Sequence, residues 1–198
     1  MKYPLPLQRL ITLLKKFPGV GQRTAERYAF QMIQWKEIDL TTLASSLANL
    51  KNDLTACTAC GALKDSIQCM FCHNPGRDKK TLCIVSSPKD IFAIENTSIF
   101  NGLYHVMPGL LSPIDGLGPE EMKFDELKDR IETLGVREVI LALDSTLEGD
   151  ATALFLKREL EKLNIILSRL ALGMPLGSSL DFIDEGTLSQ ALSARLPI

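Results

Sequence analysis

No stretch of the 198-residue sequence approaches the roughly 18 consecutive apolar residues that a membrane-crossing helix needs. The opening Met1-Lys2-Tyr3-Pro4 leads into an amphipathic pattern and lacks the apolar core and small-residue cleavage site of a secretory leader. The cytoplasm is therefore the expected location, with no membrane partner. Internal repeats and low-complexity tracts are also missing. Charge of one sign is missing too: 22 Lys and Arg face 24 Asp and Glu.

What remains is an ordinary globular composition, 45% hydrophobic and 23% charged. The length suits one large domain or two small ones, and it buries a core without help from disulfides. The balanced total hides an asymmetry. Residues 1–56 carry eight basic against four acidic side chains, and residues 57–198 carry fourteen against twenty. Two readings are open: a basic front end that docks a polyanion, or ordinary variation.

Four segments follow one another: 1–54, 55–80, 81–172 and 173–198. The first reads as all-helical. Leu7, Leu10, Ile11 and Leu14 recur at helical spacing, Phe17-Pro18-Gly19-Val20-Gly21 breaks the pattern, and a second helix runs from Gln22 to about Gln34 with Ala25, Tyr28, Ala29, Met32 and Ile33 on one face. Asp39 is the expected N-cap of a third helix carrying Leu43, Leu47, Leu50 and Leu54. From Thr81 the pattern becomes α/β. Strands are expected at Thr81–Val85, Leu103–Val106, Glu138–Leu143 and Ile165–Leu170, and helices at Lys89–Glu95, Phe124–Thr133 and Ala151–Leu163. This alternation predicts a mostly parallel sheet covered on both faces. The Gly/Pro-rich stretch 107–121 is long for a connector and reads as a functional or interface loop. The tail is expected to hold a Gly/Pro turn at 173–177, a short strand and a final short helix after Asp184.

The segment 55–80 has little hydrophobic pattern and needs an external staple. Cys57-Thr-Ala-Cys60 and Cys69-Met-Phe-Cys72 supply one. Each C-x2-C turn sets two thiolates about one turn apart, and two such turns provide the tetrahedral four-sulfur shell that zinc prefers. Two disulfides are the alternative, disfavoured in a reducing cytoplasm. A closed shell leaves no position for water, so one structural zinc ion per chain is expected. His73 is read as solvent-facing, and Cys83, in a buried strand, as a small core residue.

Two further constellations bear on chemistry. Helix, Pro-Gly-Val-Gly turn and helix is the layout of a helix-hairpin-helix. Gly19 and Gly21 let the backbone approach a phosphate, the amides of the second helix point at it, and Arg23 and Arg27 add charge on one face. Such contacts read the nucleic-acid backbone, not its sequence. Lys15 and Lys16 either extend this face or are simply solvated, and a plain helical hairpin with a glycine corner is the competing reading. Secondly, Asp144, Glu148 and Asp150 follow a buried strand just before a helix, where acids either hold Mg²⁺ or form a polar loop with capping carboxylates.

In order and spacing these features resemble the RecR family of recombination mediators: a helix-hairpin-helix at Phe17–Ala29, a four-cysteine knuckle, then a Toprim-type α/β domain. Further matching stretches are Pro88-Lys89-Asp90, Gly102-Leu103-Tyr104-His105-Val106, Ser112-Pro113 with Gly116 and Gly118-Pro119, Glu148 to Ala153, and Asp184-Glu185 with Thr187-Leu188. The resemblance implies a protein without chemistry of its own that binds single- and double-stranded DNA regardless of sequence. It implies a ring-like tetramer, built through the helical N-terminal regions and C-terminal elements, that encircles DNA. It also implies RecO-type and RecF-type partners and the loading of a RecA recombinase at single-stranded gaps. Arg23 and Arg27 stand at the family's basic hairpin positions, and the Toprim region is the expected dock of the RecO-type partner.

Some family-typical residues are missing. Toprim enzymes carry a Glu after the first strand, where this chain has Ser86 in Val85-Ser86-Ser87-Pro88, and Thr146 replaces the second acid of an Asp-x-Asp pair. After Val106, Met107-Pro108-Gly109 replaces the family's usual His-Gly. A serine neither supplies anionic charge nor acts as an acid or base near neutral pH, so a catalytic Mg²⁺ site is not expected. The rival readings are a Toprim phosphotransfer enzyme resting on Asp144, Glu148 and Asp150, and a structural adaptor with only protein partners.

Overall fold

The computed structural model describes residues 3–65, 67–171 and 173–195; the opening Met1 and Lys2 and the outermost positions of the tail lie outside them. By packing, the chain divides into two compact units that meet between Leu54 and Thr55. No described helix is long and apolar enough to cross a membrane.

The first unit contains α1 (Leu5–Leu14), α2 (Gln22–Ile33) and α3 (Glu37–Asp53). Its core is small: Ile11 and Leu14 of α1 pack on Ala25 and Ala29 of α2, with Leu7, Leu10, Val20 and Met32 partly buried around them. Two alanines four residues apart leave a shallow stripe into which branched side chains of α1 settle. Tyr28 and Ile33, expected on that face, flank the stripe and are exposed. α3 starts two residues before the expected cap. Lys36 is the N-cap, and Asp39 is already helical, its amide bonded to the Lys36 carbonyl at 3.0 Å. Asp39 instead places negative charge in the first turn, where the helix dipole favours it. No residue of α3 is buried, and Leu40, Leu47, Leu50 and Leu54 are exposed.

The second unit contains β1 (Thr55–Ala56), β2 (Leu63–Lys64), β3 (Asp78–Val85), α4 (Pro88–Glu95), β4 (Gly102–Val106), α5 (Phe124–Leu134), β5 (Glu138–Ala142), α6 (Leu147–Leu160), β6 (Ile166–Arg169) and α7 (Glu185–Ser193). β1 and β2 form a short antiparallel pair, and the other four strands form a parallel sheet in the order β4-β3-β5-β6. Successive strand residues point to opposite faces. On β3, Leu82 and Ile84 enter one core with Leu103, Leu127, Ile131, Val139, Leu141, Leu156 and Leu160, which packs α5 and α6 on that face. Cys83 and Val85 enter the other, with Ile91 of α4, Tyr104, Phe71 and the cysteine knuckle. The sheet is covered on both faces as expected, but the knuckle does part of the covering. Cys83 is a buried core thiol, and burial pushes its pKa up to about 12.

Boundaries shift where local chemistry was illegible. α6 begins at Leu147, four residues before the expected Ala151, because Thr146 caps it: its hydroxyl accepts from the Gly149 amide at 3.1 Å. The stretch 107–121 is anchored to the body by the Met107 amide, which donates to the Val85 carbonyl at 2.9 Å, and by the Leu111 amide, which donates to Thr152 Oγ1 at 2.8 Å. It is closed on itself by the bridge between Ser112 and Leu117. In the tail, α7 starts after its Asp184 cap as expected. The expected short strand is absent among the described residues: a single 3-10 turn spans Leu180–Phe182, and the residues before it find no strand partner within the chain. Leu176 and Phe182 are almost fully exposed.

Two measurements test this packing. At Gly149 a Cβ would lie 1.9 Å from the Asp144 carbonyl oxygen, so backbone would have to move. Gly149→Ala should cost about 2 kcal/mol or more in urea unfolding. His105 is only 9% exposed, and burial, followed by the Arg130 guanidinium, lowers its pKa from 6.5 to about 4. Between those values the unfolded chain binds a proton that the folded chain refuses, so stability falls as pH drops through this window. From pH 7 to 5 the wild type should lose about 2 kcal/mol more than His105→Gln.

Candidate metal centre and nucleic-acid interface

The first knuckle closes by two backbone hydrogen bonds, from the Gly61 amide to the Cys57 carbonyl and from the Cys57 amide to the Ala62 carbonyl, both 2.8 Å. Gly61 adopts φ +75°, and a Cβ there would lie 2.8 Å from Val106 Cβ. The position therefore demands glycine twice, for conformation and for space. A third bond, from the Val106 amide to the Cys60 carbonyl at 2.8 Å, ties the knuckle to the carboxyl end of β4. In the second knuckle the His73 amide donates to the Cys69 carbonyl, and the exposed His73 ring accepts from the Cys69 amide at 3.2 Å through Nδ1. That ring nitrogen holds the turn in place, outside the sulfur set.

The four Sγ atoms of Cys57, Cys60, Cys69 and Cys72 lie within 4.8 Å of one another, Cys60 and Cys69 at 3.6 Å. Zn–S bonds of about 2.3 Å in a tetrahedron require sulfur pairs about 3.8 Å apart, so the donor set fits a metal ion. All five cysteines are free, and the two-disulfide alternative is not realised. Three of the ligands are buried and Cys72 is partly exposed. The Cys60 thiol is pushed far above its usual range by its hydrogen bond with Cys72 and by burial, and Cys69 is raised by burial. Such a pocket disfavours bare thiolates, and a divalent cation bound there would supply the compensating charge.

A clasp that sequence reasoning missed holds the second knuckle. The Arg77 guanidinium lies 5.0 Å from the Phe71 ring and 5.5 Å from the Tyr104 ring, donates to Glu95 at 2.5 Å and to the Gly102 carbonyl at 2.9 Å. Tyr104 also donates to Glu95. Burial alone would raise the Glu95 pKa, but the hydrogen bonds from Arg77 and Tyr104 outweigh it and hold the carboxyl below its ordinary value. Arg77 and Glu95 lie in separate predicted segments, and no spacing rule links them. Beside the knuckle runs a groove of about 890 Å³, lined among others by Thr58, Cys72, His105, Lys123 and Arg130.

In the helical unit, Arg23 and Arg27 are both exposed, four residues apart on α2, and Lys15 and Lys16 are exposed just beyond α1. Gly19 takes φ +77° and needs glycine for that reason. Gly21 is the extended N-cap of α2, with no side-chain cap, and open space surrounds the Cβ position of both glycines. The amides at the start of α2 thus face an unobstructed approach.

The acids are not gathered in the same way. Asp144 is exposed after β5, while Glu148 and Asp150 lie inside the first turn of α6, not in a loop before it. Asp150 is paired with Arg169 of β6 at 2.6 Å. Ser86, beside the strand ends, hydrogen-bonds Asp90 at 3.4 Å.

Family models match this chain in three stretches: the RecR helix-hairpin-helix over residues 7–51, the Toprim domain over 80–171 and the RecR C-terminal model over 173–195. The chain is 50% identical over 195 residues to recombination protein RecR of Protochlamydia amoebophila, covering 98% of each chain. It is 50% identical over 199 residues to the protein of that name from Chlamydia felis (100% of this chain, 99% of that one). Against that of Chlamydia pneumoniae it is 48% identical over 196 residues, covering 98% of both. The chain belongs to the RecR family. Within this RecR-family chain the cysteine centre at 57–72 falls between the first two matched stretches. The purified protein should carry one equivalent of zinc by elemental analysis. Cys60→Ser should abolish binding, and chelation should unfold the knuckle, read by near-UV circular dichroism around Phe71 and Tyr104.

Proposed function

We propose that this protein is a DNA-binding recombination mediator in DNA repair, with structural zinc and no chemistry of its own. The observation that carries this reading is the full-length likeness to proteins named as recombination proteins, together with an uncapped, unobstructed hairpin flanked by exposed Arg23 and Arg27. Phosphates would meet the amides at the start of α2, with Arg23, Arg27, Lys15 and Lys16 supplying charge and Gly19 and Gly21 giving close approach. Labour divides along the sequence: 1–54 for DNA and assembly, 55–80 for the zinc knuckle, 81–172 for partner docking and 173–198 for assembly.

The protein works as a ring-like tetramer around single- or double-stranded DNA in the cytoplasm. With RecO-type and RecF-type partners it helps load a RecA recombinase at single-stranded gaps. The uncovered leucines of α3 and the exposed tail side chains Leu176 and Phe182 support assembly, because large apolar residues in such numbers favour a protein interface. Asp144 and Glu148 offer an acidic face for the RecO-type partner. Asp150, tied to Arg169, supports that face structurally, and Ser86 in place of an acid argues against Mg²⁺ chemistry.

Removing Arg23 and Arg27 together should weaken DNA binding for every sequence alike. The slope of log K against log salt should fall by about one per arginine removed, by fluorescence anisotropy titrations at several salt concentrations. Undiminished binding in Arg23→Ala/Arg27→Ala sinks the hairpin as the DNA site. Native mass spectrometry showing only monomer, with and without DNA, sinks the ring. Labelled DNA incubated with Mg²⁺ should stay intact, and cleavage that Asp144→Ala abolishes overturns the non-enzymatic reading.

A further inference from the structure

We propose that Arg130 is an outer-sphere residue of the cysteine centre, a positioning group that hydrogen-bonds the sulfur of the least buried cysteine and shields it from attack. The inference rests on the reading of Cys57, Cys60, Cys69 and Cys72 as metal ligands. β4 is an edge strand of the sheet. Arg130 rises from α5, which packs on one face, and its guanidinium meets that edge. Nη1 donates to the Tyr104 carbonyl at 2.7 Å and to His105 Nδ1 at 3.1 Å. Nη2 reaches past the edge to Cys72 Sγ at 3.5 Å, on the side of the sheet that carries the knuckle. One planar, permanently charged fork therefore spans both sides, which a lysine ammonium could not do in a single geometry.

The choice of sulfur matters. Cys72 is the ligand that is not fully buried, and it lines the groove through which a chelator or electrophile would arrive, beside Arg130 itself. A divalent ion with four thiolates carries a net charge of -2, concentrated on sulfur. An N–H donor draws density from the sulfur it bonds and reduces its nucleophilicity, while the charge offsets the excess. Outer-shell partners of metal ligands commonly change metal affinity by about 10- to 100-fold when removed.

The test uses full-length, zinc-loaded protein, with two readouts: zinc release to an excess of a colorimetric chelator, and the order of cysteine alkylation by N-ethylmaleimide, resolved by peptide mass spectrometry. Arg130→Gln should release zinc about tenfold faster or more, with Cys72 alkylated first and clearly ahead of the other three ligands. Arg130→Lys, which keeps the charge, should lie between wild type and Arg130→Gln and serves as the reading if the glutamine variant does not fold. Arg77→Leu is the control, because it loosens the knuckle at Phe71 without touching sulfur. It should speed all four cysteines together. Release within twofold of wild type in the Arg130 variants, or alkylation with no preference for Cys72, overturns the proposal. A wild-type protein that holds no metal after reconstitution removes the metal reading itself, and this inference with it.

Discussion

The hydrogen bond from the Val106 amide to the Cys60 carbonyl, with Gly61 pressed against Val106, is the contact on which the larger unit depends. A parallel sheet must be covered on both faces, because its strands are apolar on both. Here α5 and α6 cover one face, but α4 is only eight residues long and cannot cover the other alone. The knuckle completes that layer, bringing Phe71, Ala62 and the cysteines against Cys83, Val85 and Tyr104. A segment with so little apolar content of its own depends on its four sulfurs being drawn together, so a metal ion bound there would complete the sheet core in the same event.

That coupling explains the polar clasps around it. A cysteine turn docked on a sheet edge leaves buried polar groups that must find partners. Arg77 lies over the Phe71 and Tyr104 rings, which meet edge to face, and pairs with Glu95, while Arg130 satisfies the edge carbonyl of β4. Both arginines join elements far apart in sequence. The Toprim-like body therefore lends rigidity to the finger, and the finger covers the body in return. The helical unit is built differently: among the described residues its buried core is Ile11, Leu14, Ala25 and Ala29, and α3 buries none, which gives it little internal stability.

Local periodicity carried the sequence reading a long way. The helices at 5–14 and 22–33, the four parallel strands, the sulfur cluster and the glycine turn were all legible, because each is specified within a short window by spacing or by residue type. The failures share one cause. The sequence points to Asp39 as a cap although Lys36 caps the helix, and to Tyr28 and Ile33 on a face that Ala25, Ala29 and Met32 provide. Asp144, Glu148 and Asp150 are expected together ahead of a helix, as a Mg²⁺ site or a capped polar loop, whereas Thr146 caps the helix there and Asp150 turns to Arg169. In each case a tertiary partner or a cap decided between local options of similar energy.

The sequence by itself determined which chemistry is present: four cysteines at metal-ligand spacing, a helix-hairpin-helix, and an α/β body whose Toprim acids are incomplete. Those follow from residue identity and from periods of 2 and 3.6, which are local quantities. Only the tertiary structure decided that the knuckle is a covering layer of the sheet and that Arg77 and Arg130 hold it, one through Phe71 and the other through Cys72. Contacts 18 or 58 residues apart, such as Arg77 with Glu95 and Cys72 with Arg130, leave no periodic trace, because the fold brings them together only after each element has formed.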